Sequence, residues 1–316
     1  MLTRMKTFAS ALAIMTALGA GNALAQEGEQ AQIASENRAQ VEGAVSDEAT
    51  RQLSDKRAQL LEEAVTALDE TKNAITALEE GRTDEAINAL AIATGKLETI
   101  IARSPDLALA PVAVNNITYD LIADVQAIRD IGNRVEDLVE DGEFQAARAI
   151  LSNFASEFVV QTISLPLATY PDAILEATAL IDEGKTDEAL AVLNTALSTQ
   201  VVTEKIVPLA PLRAEAMIAE AEKLLNGEAA AAAEDSAGSE AEELTAGDYV
   251  EAARRELRIG EALGYGTEDD FADIYEALED LDEKIDASED TVGILDVIGD
   301  RFDALKSRLF DGSRDS

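Results

Sequence analysis

LIDEGKTDEALAVL, Leu180–Leu193, is the stretch on which the fold turns. An apolar residue stands three positions before Gly184, an alanine five after it and a leucine nine after it. Glycine takes the left-handed conformation that ends a helix, and Thr186 reads as the cap of the next one. Asp187 and Glu188 then meet the positive end of that helix's dipole. The same grammar recurs in ALEEGRTDEAINAL, Ala77–Leu90, around Gly81 with Thr83 as cap, and more loosely in LVEDGEFQAARAIL, Leu138–Leu151, around Gly142. Leu78, Val139 and Ile181 hold the first apolar position, Ala86, Ala147 and Ala189 the small one, and Leu90, Leu151 and Leu193 the last. Each stretch reads as helix, tight turn, helix, with alanine allowing close approach of the two arms.

Apolar spacing outside the turns agrees. Leu61, Leu68 and Ile75 lie seven apart, with Ala64 and Leu78 filling the stripe, while Ala86, Leu90, Ala93, Leu97 and Ile100 alternate four and three. That is the spacing of a buried helix face. A further helix ends at Asn226-Gly227, so the glycines at 142, 184 and 227 are 42 and 43 residues apart, one helical hairpin per unit. Tetratricopeptide-like repeats share the helix-turn-helix plan, but their period is about 34 and their Trp is missing here.

Between the hairpins, VVQTISLPLA (Val159–Ala168) returns as VVTEKIVPLA (Val201–Ala210). These β-branched lead-ins read either as two crossovers pairing in a short two-stranded ribbon over 159–165 and 201–207, or as apolar linkers lying on the helices. Pro166 and Pro208 are expected to mark helix starts, where a fixed φ suits the first turn. The fold class is therefore mainly α, antiparallel hairpins in a bundle or short array.

The ends and one insert stand apart. Arg4 and Lys6, the apolar run Phe8–Ala20 and Ala23-Leu24-Ala25 predict a signal peptide over 1–25 and export with Gln26 as the new start. Residues 26–45 lack periodicity and read as a flexible acidic start. The helical domain then runs over 46–310, interrupted by an acidic low-complexity insert at 228–247 read as mobile, with a short tail at 311–316.

Composition narrows the chemistry. Cysteine, histidine and tryptophan are absent, which excludes Ser-His-Asp triads, cysteine nucleophiles and the usual zinc ligand sets. No catalytic, cofactor-binding or metal residue is assigned, and the chain is read as not an enzyme. Its 25 Lys plus Arg stand against 63 Asp plus Glu, and loss of Arg4 and Lys6 leaves 23 − 63 = −40. Such a surface repels phosphate backbones and anionic lipid, so no nucleic acid and no membrane insertion are expected. Adjacent acids such as Glu79-Glu80 or Asp269-Asp270 arise inevitably at this density and read as solvated helix faces. Gly264-Tyr265-Gly266 lacks the third glycine of a dinucleotide fingerprint. Tyr265, between two glycines, is the one candidate partner contact, against the reading that it packs at the end of its helix.

Taken in order, DEGKTDEAL, ISLPLA and IVPLA before their helices, and EALGYGTEDDF near the C-terminus resemble the YfdX family of exported bacterial proteins, over roughly 50–310. The resemblance implies a mostly helical periplasmic protein associated with stress, acid stress included, and supplies no catalytic site. The expected function is binding or protection of other proteins, with pH-dependent self-association. The alternative is an acidic periplasmic binder of cations or a small ligand.

Overall fold

The computed structural model describes residues 21–227 and 244–310, with side chains from Arg38 onward. Helix α1 (Gly21–Arg57) precedes three repeats of one plan, a helical hairpin followed by a strand. Hairpin 1 is α2 (Glu62–Glu79) with α3 (Thr83–Arg103), leading into β1 (Leu109–Tyr119). Hairpin 2 is α4 (Val125–Glu140) with α5 (Phe144–Leu151), leading into β2 (Glu157–Pro166). Hairpin 3 is α6 (Tyr170–Asp182) with α7 (Thr186–Ser198), leading into β3 (Val201–Pro208). Helices α8 (Leu209–Leu225), α9 (Ala246–Ala262), α10 (Glu268–Asp286) and α11 (Val292–Phe310) complete the chain. The fold is mainly α, as its turn spacing requires.

The turns are built alike. Gly81, Gly142 and Gly184 all have φ near +75°. In each, the glycine N–H donates to the carbonyl three residues back (Leu78, Val139, Ile181), and the next N–H donates to the carbonyl five back (Ala77, Leu138, Leu180). This pair of bonds closes a helix around a left-handed residue. The expected caps Thr83 and Thr186 are corrected by the same geometry. Arg82 and Lys185 already occupy the N-cap positions without a side-chain cap bond, and the threonines are the first helical residues. Gly227 and Gly264 also have positive φ.

The two-stranded ribbon is in fact a three-stranded antiparallel sheet in the order β1-β2-β3. Leu109 faces Pro166 and Ser164 faces Val201 at one end, whereas Tyr119 and Pro208 both face Glu157 at the other. Antiparallel pairing reverses the chain at every strand, so it sorts the hairpins by parity. Hairpins 1 and 3 sit at the Leu109–Pro166 end, and hairpin 2 and the α8–α9 pair at the Tyr119–Pro208 end. Pro166 ends β2 and does not begin a helix. The following Leu167 bonds back to Ala108, and α6 starts at Tyr170 with a different proline, Pro171, in its first turn. Pro208 closes β3 and stands at the N-cap of α8.

Three apolar clusters follow from this sorting. Hairpins 1 and 3 share the first, in which Leu90, Leu97, Ile174 and Leu193 are wholly buried. Each such side chain contributes about 1.5–3 kcal/mol by leaving water. A second lies among α8, α9, α10 and α11 around Phe271 and Phe302. The third fills the space between α1 and one sheet face, with Val45, Val114, Phe158 and Val160. The expected flexible start at 26–45 is thus corrected. The segment belongs to α1, whose Val41 and Val45 are buried. Of the insert read at 228–247, residues 228–243 lie outside the described residues. Its last residues are ordered, since Thr245 and Asp248 form a capping box that opens α9. The tail at 311–316 and residues 1–20 also lie outside the described residues.

Candidate functional site

At the Tyr119–Pro208 end of the sheet, five segments bring polar side chains together. Arg213 comes from the first turns of α8, Asp120 from the end of β1, Ser156 and Glu157 from the start of β2, Tyr265 from the turn after α9, and Arg38 and Glu42 from α1. Arg213 is only 2% exposed, yet it keeps its charge because Asp120 accepts two bonds from it, Nη1 to Oδ1 at 3.0 Å and Nη2 to Oδ2 at 2.7 Å. Ser156 Oγ adds a third contact to Asp120, at 3.0 Å. Burial by itself would raise the Asp120 pKa, but the bonds and charge of Arg213 outweigh it and hold the carboxyl below its ordinary value. Burial likewise opposes the charge on Arg213, and Asp120 overcomes it, so the guanidinium is held above its ordinary pKa.

A second buried charge lies close by. Glu256 of α9 is 3% exposed and pairs with Arg38 Nε at 2.5 Å. Its Oε2 and the Nε of Arg213 have no hydrogen-bond partner among the described residues. Tyr265 joins the cluster from the other side. Its hydroxyl accepts the Ser156 N–H and donates to Glu157 Oε2, both at 2.8 Å. Burial, reinforced by the neighbouring Glu157, pushes its pKa well above the ordinary value, so the phenol remains a neutral donor. Of the two readings of Tyr265, the internal bonds support packing at the end of its helix, and they leave a partner contact untested. Tyr265 is half-buried and its polar end is bonded inside the molecule. Beside this cluster an open groove of about 210 Å³ runs between α1 and β1, reached by Glu42, Ser46, Thr118, Asp120, Phe158 and Arg213.

The same end of the molecule carries an apolar surface. Ile122 (84% exposed), Phe144 (62%), Leu151 (50%) and Val139 (45%) belong to hairpin 2 and its approach. Tyr119, Val202 and Ile206 are also exposed, on the sheet. Among the described residues, six of the twelve exposed large apolar side chains (these without Val202, which lies toward the Leu109–Pro166 end) therefore lie on hairpin 2, its approach or the adjoining end of the sheet, which makes this surface the one most suited to a protein partner.

Arg213 and Glu256 did not emerge from composition, although a signal existed. Arg213 stands four residues before Met217 and eight before Ala221 on the buried stripe of α8. Glu256 similarly falls between Ala252 and Ile259 on that of α9. A charge on a core rung calls for a buried partner. Gly81, Gly142, Gly184, Gly227, Pro166 and Pro208 serve the architecture and lie outside this cluster. Among the described residues there is no group of three or more acidic side chains placed to hold a metal ion, and no helix long and apolar enough to cross a membrane.

Comparison with known proteins places part of the chain. Residues 67–206 match the family model described as YfdX protein, a span that runs from hairpin 1 through β3. The C-terminal EALGYGTEDDF stretch lies beyond that match. A solved structure of YfdX from Salmonella Typhi is 18% identical, with 48% of this chain and 93% of that chain covered and a TM-score of 0.34. No curated protein matches the chain.

Proposed function

We propose, from the YfdX match over residues 67–206 and the surface it includes, that this is a non-enzymatic, stress-associated periplasmic protein that binds or protects other proteins. The observation that carries the reading is the exposed apolar set on hairpin 2, in a chain of net charge −38. A surface this acidic keeps molecules apart, so apolar side chains concentrated on one hairpin offer a local place of contact. Export is supported by the charged, apolar and small-residue succession over residues 1–25. Acid belongs to the proposal because model carboxylates titrate near pH 4, which would strip most of the repulsion as the medium acidifies.

The test is suppression of aggregation of an acid-labile client, followed by light scattering, for the wild type and for I122S/F144S. Protection that depends on the two apolar side chains supports the reading, and equal protection by the variant, or none by either, sinks it. N-terminal mass analysis of the exported protein should begin at Gln26. A second reading, binding of a cation or small ligand, is favoured by the groove beside α1, where Glu42 presents an exposed carboxylate near apolar Phe158, Asp120 being already engaged by Arg213. Calorimetric titration with small cations at neutral pH would separate the two.

A further inference from the structure

Helix α1 is held to the body more weakly than the helices around it. Over Arg38–Arg57 only Val41 and Val45 are buried, with Ala49 and Leu53 half-buried. Helix α2, 18 residues long, buries eight side chains. The four apolar residues of α1 recur every fourth position, so they form one narrow stripe. Val41 meets α8 and α9. The other three lie against the sheet face that Val114, Phe158, Val160 and Val207 share, and against Leu209 and Leu212 of α8. Packing there is loose, because the open groove of about 210 Å³ runs along this stripe, between Val45, Ala49 and Leu53 on one side and Phe158 and Leu209 on the other. A protein interior leaves few voids larger than a water molecule. The other ties are polar: Arg38 to Glu256, Gln40 to the Tyr249 hydroxyl, Glu42 to Arg213 and Gln52 to Lys205. Gly43 weakens the helix further, and close packing does not call for it, since a Cβ there would meet nothing within 4 Å. A helix with so few buried apolar contacts belongs to the least stable part of a fold.

We infer that α1 is a displaceable cover, and that the sheet face and the flank of α8 beneath it form a cleft for a helix of another protein. The inference rests on the proposed protein-binding role and adds to it a second surface, closed until a partner displaces α1. The seated helix defines the occupant. It is an amphipathic helix with branched or small apolar residues at every fourth position and an arginine or lysine three residues before the first, as Arg38 stands before Val41. Such a helix lays its apolar face in a groove that reads it at helical spacing. Its cation meets Glu256, which is 3% exposed and whose Oε2 has no hydrogen-bond partner among the described residues, so a second bond can form there. Net charge points the same way, since a chain at −38 attracts a basic helix and repels an acidic one.

The chain has no cysteine, so single introduced thiols report exposure cleanly. Val160→Cys places one beneath α1, and Val112→Cys places one in the core shared by hairpins 1 and 3, at sites 1% and 5% exposed. In the mature protein the thiol at 160 should react with a disulfide reagent roughly tenfold or more faster than that at 112, with little dependence on urea. Adding V41A/V45A should speed it roughly tenfold again, because two buried side chains of the cover are cut back. Equal rates at the two positions, both rising steeply with urea, mean that α1 leaves only on global unfolding and overturn the inference. The occupant is tested on V41A/V45A/V160C with a synthetic basic amphipathic peptide carrying valine at every fourth position. It should slow labelling severalfold, and a scrambled peptide of the same composition should not. Equal protection by the two peptides, equal protection by a carboxymethylated unfolded protein, or none by any of them overturns the assignment to a helix. Failure of client protection to depend on Ile122 and Phe144 sinks the proposed function and leaves the thiol rates as they are. Equal thiol rates with client protection intact do the reverse.

Discussion

Asp120→Asn tests whether the buried cluster is organised around one charge pair. The substitution keeps the size of the side chain and removes its charge. Arg213, 2% exposed and hydrogen-bonded to both Asp120 oxygens, is then left without its main counter-charge. Breaking a buried pair from one side costs about 3–5 kcal/mol. Two features reduce that figure here. The Asp120 side chain is 32% exposed, so water reaches the site, and Glu42 stands 3.8 Å from Arg213. A loss of about 2–4 kcal/mol is expected. Arg213→Met should cost less, about 0–2 kcal/mol, because methionine suits an apolar stripe and the abandoned Asp120 can hydrate. The double variant should resemble Arg213→Met, giving a coupling of about 2–4 kcal/mol, the full cost of Asp120→Asn. Urea unfolding at constant m-value measures all three. The sign with pH follows from the depressed carboxyl. Its stabilisation is fully present above the unfolded pKa near 4 and is lost as pH falls through the lower folded value. The gap between wild type and Asp120→Asn should therefore be constant from pH 7 to about pH 5 and close below about pH 4. A gap under about 0.5 kcal/mol at pH 7, or a costlier Arg213→Met, would refute the reasoning.

Four further outcomes are expected. Gly260→Ala should destabilise by about 1–3 kcal/mol, because the new Cβ would lie 2.9 Å from Ala210 Cβ where α8 and α9 cross; a neutral result in thermal unfolding would show that the helices part easily. Gly184→Val, at φ +73° with open space around it, should cost about 1–2 kcal/mol from backbone strain alone, and a loss no larger than at a helical surface site would contradict that origin. Tyr265→Phe leaves the Ser156 N–H and Glu157 without their shared partner and should cost about 1–2 kcal/mol, read from the shift of the urea midpoint. Light scattering of the mature protein at fixed salt should show association rising between pH 7 and pH 4.5, above the sequence pI of about 4.1; a constant mass would remove charge as the restraint.

Local pattern settled a large part of this protein. Helix, turn and repeat are written within windows of about fifteen residues, because a glycine at positive φ and a three-four apolar stripe act on neighbours in the chain. Stretches such as Ala77–Leu90 and Leu180–Leu193 therefore declared their hairpins unaided, and the YfdX resemblance followed from their order. Strand β1 did not declare itself. LAPVAVNNITY carries a proline and two asparagines, residues that disfavour strands, and it is held in place by β2 with a register shift between Pro111 and Ala113.

Pairing decided the rest. Which hairpins meet depends on the direction in which each strand returns, and no local window records that direction. Val139 and Leu151 look like core residues in sequence, as Ile181 and Leu193 do, yet parity leaves one pair in solvent and buries the other. The candidate site has the same origin. Arg213 and Asp120 are 93 residues apart, and Arg38 and Glu256 are 218 apart, so each pair exists only once the sheet has brought those chain segments to one end. A buried charge is tolerated only beside its partner, and the fold alone supplies that neighbour.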